Sequence, residues 1–333
     1  QTAKTAGQLK QYLINKGYYN AVVHDTILYK KKRARVIYDL ELYEPYLIRD
    51  IKYKFEDKNL EQYILPDSTS CLLKRGNNFD VDVLSAERER LEKLLKNNGF
   101  YNFSKEYVFY EADSSRHSHN IDVTLVIKKY RQFSEDNSFK EIPHPKYQIG
   151  KVSILTNYNP RQALSDAESY FAKLDTIIID SISIVFDEHQ NVKPGIVLSS
   201  DYVIPGEFYN IDNVNQTYRN LSSLQLFRLV TIDFIEEDGQ ENMPIRQLNC
   251  NIQLTPFILQ SYTVELEGTN SSGNIGGGGN LIYQHRNLFR GAENFDIRFK
   301  GAIETLKESN SGNFGNMIEL GTEATLNIPK FLL

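Results

Sequence analysis

Apolar residues at helical spacing open the chain and return 82 positions on, and both times the pattern stops at a glycine. Leu9-x3-Leu13-x-Asn15-Lys16-Gly17-Tyr18-Tyr19-Asn20 recurs as Leu91-x3-Leu95-x-Asn97-Asn98-Gly99-Phe100-Tyr101-Asn102. Leu9, Tyr12 and Leu13 share one helical face, as do Leu84, Glu87, Leu91, Leu94 and Leu95. A glycine just past such a face closes the helix in the left-handed conformation that a Cβ disfavours. The paired aromatics behind each glycine predict a strand that begins at once, at Tyr19 and Tyr101.

Two further motifs repeat in the same order. Tyr46-x-Ile48-x2-Ile51-x-Tyr53 returns as Tyr147-x-Ile149-x2-Val152-x-Ile154, each behind a proline (Pro45, Pro145) and each reading as a strand. Gly76-x2-Phe79-Asp80-Val81-Asp82-x-Leu84 returns as Gly206-x2-Tyr209-Asn210-Ile211-Asp212-x-Val214. Asp80 and Asn210 stand where an N-cap starts a helix, with an aromatic before each as a staple. Strict alternation then marks a half-buried strand three times: Val36, Tyr38, Leu40 and Leu42; Ile121, Val123, Leu125 and Ile127; Leu248, Cys250, Ile252 and Leu254. One wet face and one buried face fit a small sheet with helices on one side.

The repeating unit is thus strand, helices, strand, strand, an α+β fold with three-stranded sheets. A partial copy occupies 1–45, lacking its opening strand and first helix, and full copies occupy 46–130 and 146–257. Residues 131–145 are polar with two prolines and read as a linker. The third copy carries an insertion over 158–200, with Leu164, Ala167, Tyr170, Phe171 and Leu174 at helical spacing. Strand-like runs at 176–186 and 195–203 follow it, and His189-Gln190-Asn191 reads as the turn between them.

From 258 to 333 no helical pattern appears. Tyr262, Val264 and Leu266 alternate with Thr263, Glu265 and Glu267; Phe295, Ile297, Phe299 and Ile303 alternate with Asp296, Arg298 and Lys300. Ile318, Leu320, Leu326 and Ile328 alternate with Glu319, Glu323 and Asn327. Gly-rich or Asn/Ser-rich turns are expected at 268–279 and 308–315. Such strands suit a membrane β-barrel or the edge of a soluble sandwich, and alternation alone does not separate the two. Four strands are too few to close a barrel, which takes about eight. The segment therefore reads as a barrel cut short or as part of another sheet.

Composition narrows the function classes. A formal net charge of −5 argues against a nucleic-acid partner. No apolar run approaches the roughly 20 residues of a spanning helix. Gln1 is no initiator methionine, which fits a processed or trimmed chain. Two cysteines make no metal or redox motif; Cys250 reads as core and Cys71 lies in a polar stretch. His117-x-His119 reads as a solvated loop, Gly276-Gly277-Gly278-Gly279 as a hairpin turn rather than a phosphate loop, and Glu87-Arg88-Glu89-Arg90 as a solvated helix face. Lys30-Lys31-Lys32-Arg33 reads as a charged hairpin turn. No catalytic order of Ser, His, Cys or paired carboxylates appears, so no enzyme, cofactor or metal is expected.

The order of motifs resembles the POTRA domains and barrel start of outer-membrane assembly factors, the BamA/TamA group, with the Bacteroidota-type, lipoprotein-like TamL proteins as the nearest likeness. The residues carrying it are Gly17-Tyr18-Tyr19-Asn20-Ala21, Gly99-Phe100-Tyr101, Tyr46-x-Ile48-x2-Ile51, Arg88-Glu89-Arg90, Thr217-Tyr218-x2-Leu221-x2-Leu224, Glu267-Gly268-Thr269-Asn270-Ser271-Ser272-Gly273 and Asn287-Leu288-Phe289-Arg290-Gly291-Ala292-Glu293. A lipid-carrying N-terminal cysteine is not in this sequence. The resemblance implies a periplasm-facing scaffold of the Gram-negative outer membrane. It would receive outer-membrane-protein or lipoprotein clients, contact outer-membrane lipid, and engage a periplasm-spanning partner protein.

It also implies that the first strand of each terminal pair, 101–110 and 226–234, is a sheet edge onto which a client adds as a strand. The residues concerned are Tyr101, Phe103, Lys105, Tyr107, Val108 and Phe109, then Leu226, Arg228, Val230 and Ile232. Lys105, Glu106, Arg228 and Asp233 could instead guard those edges by charge. Tyr262, Thr263, Val264, Glu265 and Leu266 would form the first barrel strand. The competing reading is a soluble extracellular or periplasmic binding or adhesion module with no membrane barrel.

Overall fold

The computed structural model describes residues 1–31, 33–114, 119–133, 138–187, 191–240, 243–271, 274–307 and 314–329. The chain is α+β and divides into two compact units. One comprises Gln1–Gln148, Phe208–Ile211 and Gly239–Arg246; the other comprises Ile149–Glu207, Asp212–Asp238 and Gln247–Leu333.

The first unit opens with α1 (Thr2–Asn15) and the antiparallel hairpin of β1 (Val22–Lys30) and β2 (Arg33–Glu41). Next come β3 (Leu47–Phe55), the one-turn α2 (Glu61–Ile64), α3 (Val81–Lys96), β4 (Val108–Asp113) and β5 (Asn120–Ile127). Their sheet has the order β3-β5-β4, with β5 parallel to β3 and antiparallel to β4. The alternating residues of β5 face a core shared with Ile48, Leu60, Ile64, Leu84, Leu91 and Leu95. The Asp80 carboxylate accepts from the Asp82 N–H and caps α3, as its position predicts.

Both helix-closing glycines have positive φ, Gly17 at 91° and Gly99 at 95°. In each copy the next residue donates back to a leucine carbonyl, Tyr18 to Leu13 and Phe100 to Leu95. The strands do not follow at once, contrary to expectation. Tyr19 and Tyr101 lie in turns, β1 starts at Val22, and β4 starts at Val108 after a 3-10 turn at Lys105–Tyr107. Their rings pack sideways instead: Tyr19 meets Tyr46 at 5.3 Å, and Tyr101 meets Tyr147 at 5.6 Å and Tyr209 at 5.0 Å.

All three repeated motifs meet at these points. The Gly17 carbonyl accepts the Tyr46 N–H at 2.8 Å, and the Tyr46 carbonyl accepts the Phe79 N–H at 2.8 Å. The Gly99 carbonyl accepts the Tyr147 N–H at 2.8 Å, and the Tyr147 carbonyl accepts the Tyr209 N–H at 2.9 Å. At Gly99 a Cβ would sit 2.9 Å from Cγ and Cε of Lys146, whose ammonium lies over the Phe208 ring.

Residues 131–145 are more than a tether. They include the hairpin of β6 (Tyr130–Phe133) and β7 (Phe139–Ile142), and they end on buried His144. The His144 N–H donates to Asp57 Oδ2 at 2.6 Å, and its Nδ1 lies 3.0 Å from the same oxygen, amid the rings of Phe103, Tyr107 and Tyr130. Burial opposes ionisation of Asp57. Hydrogen bonds from the His144 ring and N–H and from the Asn59 N–H nonetheless hold its carboxyl below the usual range.

In the second unit, β8 (Lys146–Leu155, which begins in the first) is followed by α4 (Pro160–Ser165), α5 (Ala167–Ala172), β9 (Leu174–Ile179), β10 (Ile182–Asp187), α6 (Pro194–Leu198), α7 (Ile211–Ser223), β11 (Phe227–Glu236) and β12 (Ile245–Pro256). The sheet is five-stranded, β11-β12-β8-β10-β9, rather than three-stranded. The insertion supplies the difference, because β10 runs parallel to β8 and pairs antiparallel with β9. The run at 176–186 is therefore a hairpin, turning at Asp180 and Ser181, both with positive φ. The run at 195–203 begins as α6, with Pro194 preset for a first helical position. Of the turn read at His189-Gln190-Asn191, residues 189 and 190 lie outside the described residues.

The chain continues into an antiparallel meander of β13 (Gln260–Ser271), β14 (Asn274–Arg286), β15 (Asn294–Lys307) and β16 (Phe314–Asn327). Gly276–279 are not a turn: they lie within β14, paired on both sides. A Cβ on Gly278 would come 3.1 Å from the Gly301 carbonyl, and one on Gly279 2.9 Å from that of Glu265. The glycines are there because neighbouring backbone approaches closely.

Gly99→Val is expected to lower the urea midpoint by an amount worth about 1 kcal/mol or more. An unchanged midpoint would remove the joint at Gly99 from the account. A second expectation concerns pH. Because the folded pKa of Asp57 is depressed, its stabilisation is present above about pH 4 and is lost as the pH falls through the folded value. Asp57→Asn should lower stability at pH 7 and flatten its acid dependence in paired urea titrations.

Candidate functional site

Backbone rather than side-chain chemistry stands out at the surface. In the first unit β4 is an edge strand, and in the second β11 is. Each therefore presents one row of unpaired N–H and C=O groups, the template onto which a further strand adds.

The usable part of the first edge is shorter than 101–110. Tyr101 lies in a turn, Phe103 is buried in the core, and Lys105 and Tyr107 belong to the 3-10 turn. Val108 points inward, while Phe109 is 50% exposed. Lys105 and Glu106 do not guard this strand. Lys105 pairs with Glu89 at 2.9 Å, and Arg88 pairs with Glu106 at 3.2 Å while donating to the Lys105 carbonyl, so both are occupied by α3.

On the second edge Leu226 is buried ahead of β11, and the pairing register shifts between Phe227 and Leu229, with exposed Arg228 between them. Such a bulge blunts the first part of an edge. From Val230 onward the register is unbroken to Glu236; Val230 is buried, Ile232 half-buried and Asp233 exposed. The insertion adds a third edge, β9, that motif reading did not assign. It carries Ile177, Ile178 and Ile179, with Ile178 73% exposed.

The four-stranded sheet has two unlike faces. Tyr262, Val264 and Leu266 of β13 share one face with Tyr283 and Leu281, Ile297 and Phe299, and Leu320 and Ile318, as the register requires. That face is uncovered: Tyr262 is 70%, Leu320 83% and Leu266 86% exposed. Ser261, Thr263, Gln284, Asp296, Arg298, Glu323 and Thr325 line a hollow on the other face. Thr263 and Glu265 thus alternate with the apolar residues of β13 as expected.

The motif Asn287-Leu288-Phe289-Arg290-Gly291-Ala292-Glu293 joins β14 to β15. The loop from Asn287 to Glu293 is buried at Asn287, Ala292 and Glu293, with positive φ at Asn287, Arg290 and Ala292. The Glu293 carboxylate accepts from the Phe289 and Gly291 N–H groups at 3.1 and 2.9 Å. Burial opposes its charge, but these backbone donors and its own N–H hold the carboxyl below the usual range. Asn287 donates to the Asn191 carbonyl at 2.7 Å, and the Lys193 N–H donates to the Arg290 carbonyl at 2.9 Å. These bonds tie the loop to the segment around α6.

Glu87 corrects another expectation. It is fully buried, not on a solvated face; Arg90 bonds it at 2.8 Å through two nitrogens and also pairs with Asp67. Glu87 further accepts the Leu72 N–H at 2.9 Å, and at the matching place Thr217 accepts the Tyr202 N–H at 2.8 Å. Cys71 and Cys250 are both buried, and burial pushes both thiols up. His119 lies 3.2 Å from Glu44, while His117 and Lys32 fall outside the described residues. No group of three or more metal-ligating side chains occurs among the described residues.

No family model and no curated protein matches the chain. Among solved structures it is similar to POTRA domains 3–5 of BamA from Haemophilus influenzae, at 12% identity and a TM-score of 0.41, over 77% of this chain and 80% of that one. It is similar to BamA from Haemophilus ducreyi lacking POTRA domains 1–3, at 10% identity and a TM-score of 0.42, over 84% and 47%. It is also similar to CdiB from Acinetobacter baumannii, at 10% identity and a TM-score of 0.34, over 91% and 48%. The chain thus spans about half the length of the last two.

Proposed function

We propose that this chain is the periplasm-facing part of an outer-membrane protein assembly or translocation factor, built of POTRA-type units and the first strands of a transmembrane β-barrel, of the TamL type. It acts as a scaffold without catalysis. Clients are outer-membrane proteins or lipoproteins in extended form, which add as strands to β4 and β11 and pass toward the barrel.

The observation that carries this reading is the two-faced terminal sheet. Its strands have 12 to 14 residues, which at a rise of about 3.4 Å and a tilt near 40° cover roughly 30 Å of membrane normal. A face that leaves Tyr262, Leu266 and Leu320 so exposed is costly in water and suited to lipid. Support for strand addition is the open β4 edge, whose nearby charges are engaged by α3.

Two measurements test the reading. Chain purified without detergent is expected to self-associate in light scattering, and a chain ending near Phe257 to remain monomeric. A monodisperse full-length chain in plain buffer would sink the membrane assignment and favour a soluble binding module. Photo-crosslinkers at Phe109 and Ile235 are expected to capture an unfolded barrel-protein fragment, whereas the same probe on buried Leu125 should not. Equal yields at the three positions would rule out strand addition at these edges.

A further inference from the structure

Where the four-stranded sheet begins, the second unit contains a cleft of about 750 Å³. Three arginines line it: Arg161 in the first turn of α4, Arg228 at the bulge of β11, and Arg286 at the end of β14. They face one carboxylate, Asp187. Arg286 is held in place, 5.0 Å from the Phe257 ring and donating to the Ile258 carbonyl at 3.3 Å. Among the described residues Arg161 and Arg228 form no ion pair.

A second, independent feature lines the same cleft. Thr255 is only 6% exposed, yet its hydroxyl has no hydrogen-bond partner, nor does the Asn157 side-chain oxygen, which also lines the cleft. A buried hydroxyl left unpaired is disfavoured, and a polar group entering the cleft would satisfy it. Guanidinium forks and a hydroxyl donor match the tetrahedral oxygens of phosphate. The Asn157 amide, turned over, would add a donor.

We infer that this cleft binds a phosphate group, held by Arg161, Arg228 and Arg286 with the Thr255 hydroxyl. Two sources share that chemistry, a lipid headgroup and free phosphate. The level in the sheet bears on the first. Tyr262 and Tyr283 pack at 5.0 Å on the apolar face, and Arg286 lies three residues beyond Tyr283, about 10 Å along the strand. Aromatic pairs of this kind mark the water boundary of membrane barrels, which puts the cleft near headgroup level, while Ser261 and Arg286 belong to the opposite, polar face of the sheet, the side a soluble phosphate reaches. The lipid source rests on the membrane reading above; the phosphate site does not.

The test uses the full chain in an uncharged detergent, titrated calorimetrically with inorganic phosphate and, separately, with a short-chain phosphatidic acid. Saturable binding is expected, weakened about tenfold or more in the Arg161→Gln/Arg228→Gln double variant and several-fold in Thr255→Val, with melting unchanged. Asp187→Asn, which removes the opposing carboxylate, should bind more tightly. Tighter binding of the phosphatidic acid assigns a headgroup, and tighter binding of inorganic phosphate assigns a soluble ligand; either supports the site. Equal affinity in wild type and all variants, or no binding of either probe by about 1 mM, overturns it. Neither result depends on whether the chain self-associates without detergent, so the site and the membrane reading fail separately.

Discussion

The Gly17 carbonyl accepts the Tyr46 N–H, and the Gly99 carbonyl accepts the Tyr147 N–H, both at 2.8 Å. Each bond needs a residue with positive φ, since that conformation both ends the helix and turns its last carbonyl toward the next strand. It also fixes where the strand starts, and through the Tyr46 and Tyr147 carbonyls where Phe79 and Tyr209 enter the following helix. A single backbone geometry thus sets the helix end, the strand start and the staple of the next helix. The rings of Tyr19 and Tyr101 then pack edge-on against those of Tyr46 and Tyr147 beside these bonds.

From that arrangement the open edges follow. The opening strand, β3 or β8, pairs with the last strand of its unit, leaving the other member of the hairpin, β4 or β11, on the outside. The two units differ on the opposite flank. β3 remains an edge, whereas β10 and β9 cover β8 and carry the boundary outward to an isoleucine-rich strand.

Much of this was legible in the sequence. The helices over Val81–Lys96 and Ile211–Ser223 lie where the cap and the 3.6-residue period put them, and the last strands alternate as read. What failed had local causes. Nothing in Asp180-Ser181 announces a tight turn, because glycine and asparagine, the usual residues for paired positive φ, are absent. The glycines of β14 mimic a loop; their reason, the approach of the Gly301 and Glu265 carbonyls, is tertiary. Glu87 carried a signal that its charge concealed: it occupies the apolar stripe between Leu84 and Leu91. The candidate edges were legible as strand pairs, but their usable length depended on the engagement of Lys105 and Glu106 by α3, a contact without a sequence signature.

The two solutions at the Glu87 and Thr217 positions bear on how such repeats can diverge. Both side chains perform one task, accepting a loop N–H fifteen residues upstream, but Glu87 brings Arg90 and Asp67 with it. Losing Glu87 alone would leave the Leu72 N–H without its acceptor and Arg90 with Asp67 still beside it, at a cost of about 1–3 kcal/mol. A one-letter exchange of the ionic version for the hydroxyl version therefore gives up a sizeable part of a domain's usual margin of stability. Changing Arg90 and Asp67 together with Glu87 avoids that loss, so each internal solution is coupled to its own neighbours and neither can be exchanged for the other as a single residue.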